Sequence, residues 1–173
     1  MSDQNPNTPP SIRIGHGYDL HRLAPLSGPD HPKPLVLGGI RFDSDRGVIA
    51  HSDGDCLLHA ITDAILGALA LPDIGQLFPD SDSRWAGANS ETFLNEARSR
   101  AAAAGYTIAN LDATVILETP KLGPRKEELR RNIARILNID ISQVNVKGKT
   151  HENVDAVGER RALEVHAVIL LTT

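Results

Sequence analysis

The chain has 173 residues, 40% of them hydrophobic and 23% charged, the balance of a single ordinary globular domain. Its net charge of −4, from 18 basic and 22 acidic residues, argues against the broad basic face that nucleic-acid binding uses. Cys56 is the only cysteine, which excludes an intrachain disulfide and a Cys-rich zinc site.

Residues 1–11 are polar, with Pro6, Pro9 and Pro10, and lack the basic and apolar runs of a targeting peptide. They read as a disordered tail ahead of one domain over 12–173. No apolar stretch approaches the roughly 20 residues that span a bilayer. A cytoplasmic protein without membrane contact is expected. With 3% aromatic residues, its core must come from Leu, Ile, Val and Ala.

Ile12-Arg13-Ile14 alternates and begins a strand that runs into Gly15-His16-Gly17-Tyr18-Asp19-Leu20-His21. Residues 25–34 are rich in Pro, Gly and Asp and form a loop, and Leu35 to Ile40 is a short strand broken by Gly38-Gly39. A helix is expected over about 52–71, capped by Ser52 or Asp53 and stopped by Pro72. Leu57, Ile61, Ala64, Ile65 and Ala68 make its apolar stripe, while Asp55, His59 and Asp63 share a polar face.

A long loop follows over 72–89, then a helix over about 90–104 that ends at Gly105. A buried strand over 111–117, a helix over 124–137, and strands at 144–146 and 165–171 complete the chain. Mixed elements without a strict repeat indicate an α/β or α+β sandwich. Helices on one face of the sheet would leave the other face in need of a partner.

Asp19 and His21 are two apart on an extended segment, so both side chains point the same way. An aspartate and imidazoles suit zinc, whose catalytic sites keep one position open, and His59 is a third candidate ligand. Asp55 and Asp63 are candidates to orient its ring. The plainer alternative is that Asp19 and His21 are turn residues and His59 a surface histidine. His51-Ser52-Asp53-Gly54-Asp55 is either a phosphate site at a helix start or a simple cap.

Lys147-Gly148-Lys149-Thr150-His151-Glu152 leaves a strand with groups for phosphates and a hard cation, or is just a polar strand end. It lacks the glycine spacing of a Walker A loop. Glu118-Thr119-Pro120-Lys121-Leu122-Gly123-Pro124 is a rigid turn whose backbone can read a base edge, or a bare connection.

In their order, these segments resemble the cyclodiphosphate synthase family of the non-mevalonate isoprenoid pathway. The likeness rests on Gly15 to His21, His51-Ser52-Asp53-Gly54-Asp55, His59-Ala60, Asp63-Ala64, Asp73-Ile74-Gly75, Phe78-Pro79-Asp80-Ser81-Asp82 and Pro120-Lys121. It runs from about Ile12 to Leu171.

The resemblance implies a mostly four-stranded mixed sheet with helices on one face, and three subunits packing their sheets around an axis, with active sites between neighbours. It implies Zn²⁺ on Asp19, His21 and His59, and Mg²⁺ or Mn²⁺ on Glu152. His51 and Thr150 would stabilise the transition state. Ser52, Asp73, Ile74, Gly75, Phe78, Asp80 and Asp82 would serve the methylerythritol phosphate side, with Asp19, His21 and His51. Leu117, Glu118, Thr119, Pro120, Lys121, Leu122 and Gly123 would hold the cytidine diphosphate part, with Lys149, Thr150, His151 and Glu152.

The implied reaction closes a cyclic diphosphate and expels CMP. A zinc phosphoesterase and a non-catalytic nucleotide-binding trimer are the competing classes. One segment departs from the family pattern. Where a phenylalanine and a Gly-Arg-Gly-Glu run are common, lining the trimer axis, this chain has Ala156 and Gly158-Glu159-Arg160-Arg161.

Overall fold

The computed structural model describes residues 10–173, so the tail expected over 1–11 lies outside the described residues except for Pro10 and Ser11. Strand β1 (Ile12–Pro25) is the longest, and its alternation continues well past the glycines. Gly38 and Gly39, both at positive φ, turn the short hairpin of β2 (Val36–Leu37) and β3 (Ile40–Arg41). Strands β4 (Arg46–Ile49), β5 (Thr107–Ile116), β6 (Val144–Lys149) and β7 (Ala162–Thr172) join β1 in one sheet, ordered β4-β1-β7-β5-β6. Only β5 and β6 run parallel.

The sheet therefore has five strands, one more than expected. The addition is β4, which pairs with the end of β1 from Arg22↔Ile49 to Pro25↔Arg46. Four residues starting Arg46-Gly47 carry too little alternation to read as a strand.

Helix α1 (Cys56–Ala68) lies on β1 and β7. It begins later than expected because Asp55, not Ser52 or Asp53, is the N-cap and accepts the Leu58 amide at 3.0 Å. The loop over 72–89 contains a short helix, α2 (Ile74–Leu77), and a 3-10 turn at Ser83–Trp85. Helix α3 (Ser90–Ala103) packs beside α1, and α4 (Lys126–Leu137) packs on α3 and β6. A one-turn helix, α5 (Asp155–Gly158), precedes β7.

All the longer helices cover one face. There Leu163, Val165, Ala167, Ile169 and Leu171 of β7 meet Leu57, Ile61, Ala64 and Ile65 of α1 in a buried aliphatic core. On the other face Ile14, Tyr18, Leu20 and Val168 remain exposed. His16 and His166 lie there too, with Nε2 and Nδ1 3.1 Å apart. No helix among the described residues is long and apolar enough to cross a membrane.

Candidate metal centre and its two pockets

Gly15, Gly17, Asp19 and His21 lie on the helix side of β1, because residues two apart share a face. At Gly15 and Gly17 the strand backbone comes so close to α1 that a Cβ would collide with the Ala64 and Ala60 carbonyl oxygens. This approach sets Asp19 and His21 against His59, which faces β1 from the first turns of the helix. Asp19 Oδ2 is 3.0 Å from His21 Nδ1 and 3.1 Å from His59 Nδ1.

His21 Nδ1 is buried, and although Asp19 Oδ2 lies 3.0 Å away the contact lacks the geometry of a hydrogen bond. Buried polar atoms are normally satisfied, and an orphan in this position points to an ion. Ligand atoms of Asp19, His21 and His59 all lie within 4.8 Å of one another. Two imidazoles and a carboxylate therefore form a candidate metal-binding triad.

Charge supports the arrangement. Burial works against ionisation of Asp19, but the attraction of His21 and His59 outweighs it and holds this carboxyl well below the usual carboxylate range. Burial likewise disfavours charge on His59, yet Asp19 more than offsets this and pushes the imidazole up.

The aspartates expected to orient His59 do other work. Asp55 is wholly buried and accepts the amides of Gly38, Gly39 and Leu58. Asp63 accepts the Ile74 amide at 2.8 Å and so ties α2 to α1. The far side of His59 instead meets Ser90, whose Oγ is 2.8 Å from Nε2, and Ser52, whose Oγ is 3.3 Å away.

The triad opens into a cavity of about 320 Å³. His51, Ser52, Ile74, Gly75, Phe78 and Asp80 line it, together with Ile49, Ala50, Trp85 and Phe93. Half of the chain's Phe, Tyr and Trp residues thus gather here, with Phe78 and Trp85 edge to face at 5.2 Å. Trp85 and Phe93 had no signal in the sequence beyond their rarity. Two expected residues point elsewhere: Asp73 caps α2 through the Gln76 amide, and Asp82 pairs with Arg84 at 2.6 Å.

A second cavity of about 440 Å³ lies at the other flank of the sheet, where β5 and β6 end. Leu117, Lys121, Leu122, Gly123, Lys149, Thr150 and Glu152 line it. The Thr150 hydroxyl donates to Glu152 Oε1 at 2.7 Å. Glu118 and His151 sit behind it: Glu118 accepts the His151 amide at 2.7 Å, and the His151 ring bonds Asp155 at 2.9 Å. Thr119 and Pro120 line a third cavity with Asp43, Asp45 and Arg160.

The first two cavities share no residue. β7 and β5 stand between β1 and β6, which puts these two strands about 14 Å apart at a strand spacing of about 4.8 Å.

Residues 12–172 match the model of the YgbB family. The chain belongs to that family. A YgbB relative from Arabidopsis thaliana, named 2-C-methyl-D-erythritol 2,4-cyclodiphosphate synthase, chloroplastic, is 54% identical over 171 residues, covering 99% of this chain and 71% of the relative. A synthase of the same name from Paraburkholderia phymatum is 48% identical over 160 residues, 92% of this chain and 97% of the relative.

Among solved structures of the family, IspF of Plasmodium falciparum in its CDP complex superposes with a TM-score of 0.81. It shares 43% identity, covering 94% of this chain and 96% of that one. A CDP-bound 2C-methyl-D-erythritol-2,4-cyclodiphosphate synthase gives a TM-score of 0.82 at 40% identity, covering 92% and 99%.

In the run Gly158-Glu159-Arg160-Arg161 both arginines are engaged. Arg160 is ion-paired with Asp45, and Arg161 with Glu159 at 2.6 Å.

Proposed function

We propose that this chain converts 4-diphosphocytidyl-2-C-methyl-D-erythritol 2-phosphate to 2-C-methyl-D-erythritol 2,4-cyclodiphosphate and CMP, as a phosphorus–oxygen lyase of the non-mevalonate isoprenoid pathway. The observation that carries the reading is Asp19 Oδ2 flanked by His21 Nδ1 and His59 Nδ1 at 3.0 and 3.1 Å, at the mouth of a cavity. The names of the family relatives supply the product, and the CDP complexes of two solved relatives supply the nucleotide part of the substrate.

Asp19, His21 and His59 would hold Zn²⁺, for which a His-His-carboxylate donor set is suited. Glu152 holds Mg²⁺ or Mn²⁺, hard cations that prefer carboxylate and phosphate oxygens. Bound there, the metals would supply charge neutralisation and Lewis-acid polarisation of the phosphate groups.

The 2-phosphate oxygen attacks the β-phosphorus, a new P–O bond forms, and the bond from that phosphorus to the CMP oxygen breaks. No water is consumed. The task for the side chains is to fold the substrate so that its two ends meet. In model systems such positioning is worth about 7–11 kcal/mol.

Ser52, Ile74, Gly75, Phe78 and Asp80 form the wall for the methylerythritol phosphate, while Asp73 and Asp82 hold the loop around it. The segment from Leu117 to Gly123 and the run from Lys149 to Glu152 take the cytidine diphosphate. His51 and Thr150 donate to oxygens whose charge grows in the transition state.

Three copies pack their open sheet faces around a common axis. The first cavity of one copy then meets the second cavity of its neighbour, which answers both the exposed Ile14, Tyr18, Leu20 and Val168 and the separation of the cavities within one chain. The domain over 12–173 works in the cytoplasm, a reducing compartment that suits the free, buried Cys56.

The test is incubation of the purified protein with substrate, Zn²⁺ and Mg²⁺, following CMP. Release that stops on chelation and returns with metal is expected. Release unaffected by chelation would refute the metal assignment, and no release would refute the function.

A further inference from the structure

Ser90 is fully buried at the start of α3, far in sequence from the triad, and carries no motif. Its Oγ lies 2.8 Å from His59 Nε2, and its hydroxyl also bonds Asp53 Oδ1. Asp53 Oδ2 accepts the Ser90 amide at 2.9 Å, and Oδ1 accepts the Asp55 amide at 3.2 Å.

These contacts have only one consistent direction. An ionised carboxylate accepts and never donates, so the single Ser90 hydroxyl hydrogen points to Asp53. Ser90 Oγ must then accept from His59, which places a proton on Nε2. Ser52 Oγ, at 3.3 Å, already accepts the Gly54 amide at 3.2 Å and is a weaker second acceptor. With Nε2 protonated, the lone pair of a neutral His59 sits on Nδ1, the atom that faces Asp19 Oδ2.

We propose that Ser90, held by Asp53, is a positioning residue that fixes His59 in the Nε2–H tautomer and aims its Nδ1 lone pair at the metal. This rests on the metal reading above. Metal-bound imidazoles generally need such a partner on their other nitrogen, and its loss typically weakens metal binding. The relay also ties the metal centre to the loop over the first cavity, because the Asp53 amide donates to Ala88 O at 3.0 Å.

The test uses ¹⁵N-histidine-labelled, zinc-loaded protein and zinc affinity by chelator competition. The His59 ring is expected to carry its proton on Nε2 and to bind zinc through Nδ1. Ser90→Ala is expected to weaken zinc roughly 10–100-fold while keeping its unfolding midpoint near that of the parent, with Ser90→Thr restoring affinity. Asp53→Asn, which frees the Ser90 hydrogen to turn toward His59, is expected to weaken zinc as well.

Wild-type affinity in Ser90→Ala, or a His59 proton on Nδ1 in the zinc-loaded parent, would overturn the relay and leave the metal site standing. Absence of zinc binding by the parent would overturn the metal site and the relay together. The tautomer of the parent decides the question even if Ser90→Ala does not fold.

Discussion

The Gly17 backbone lies directly under the Ala60 carbonyl, so close that a Cβ on Gly17 would also fall 2.6 Å from the Ala64 amide nitrogen. Gly17 is two residues before Asp19, and Ala60 follows His59. The metal triad thus depends on a strand and a helix packed at backbone distance. Gly17→Ala must push β1 away from α1. Overpacking of this kind costs about 1–3 kcal/mol, and here it also separates Asp19 from His59. Thermal unfolding and zinc titration of the variant should both fall. Unchanged zinc affinity would mean that strand packing does not set the triad.

His59→Ala removes one of three ligands and leaves Asp19 and His21 beside each other without their helix partner. The purified variant is expected to contain no zinc by elemental analysis and to release no CMP. A zinc-free His59→Ala protein with full activity would contradict the metal assignment.

On the proposed metal reading, protons compete with metal at His59. Burial opposes its charge, but Asp19 raises its folded pKa above the ordinary value of about 6.5. In the metal-free protein the stability from this pairing is therefore fully present below about pH 6.5 and is lost as pH rises through the raised folded value. Zinc reverses the dependence, since it needs the neutral ring. Calorimetry in buffers of different ionisation enthalpy should register proton release on zinc binding near neutral pH, with affinity climbing as pH rises. Zinc uptake without proton release would show that His59 is neutral beforehand.

Ile14 and Val168 stand on the open sheet face, away from the triad. If the proposed trimer forms, aspartate at both positions is expected to break it in sedimentation and to abolish turnover. Zinc content should persist, because Asp19, His21 and His59 come from one chain. Loss of the trimer with full activity would place the whole active site within a single subunit.

Much of this site was legible in the sequence because it follows local periodicity. Asp19 and His21 share a face by the two-residue repeat of a strand, and His59 sits on a helix opposite the apolar stripe. The same logic misassigned Asp55 and Asp63. Spacing put them on the face of His59, but free amides at Gly38, Gly39 and Ile74 claimed their oxygens. Ser90 and Asp53 were unreadable for another reason. They are 37 residues apart and meet only because the loop over 72–89 returns α3 to the start of α1. The fifth strand was missed because β4 is held by its pairing with β1, not by a pattern of its own.

The most direct measurement is ³¹P NMR of the purified protein with the diphosphocytidyl substrate, Zn²⁺ and Mg²⁺. Paired ring-diphosphate signals together with CMP, and their disappearance on chelation, are the expected result. Linear phosphate products would contradict it, since water rather than the 2-phosphate would then be the nucleophile.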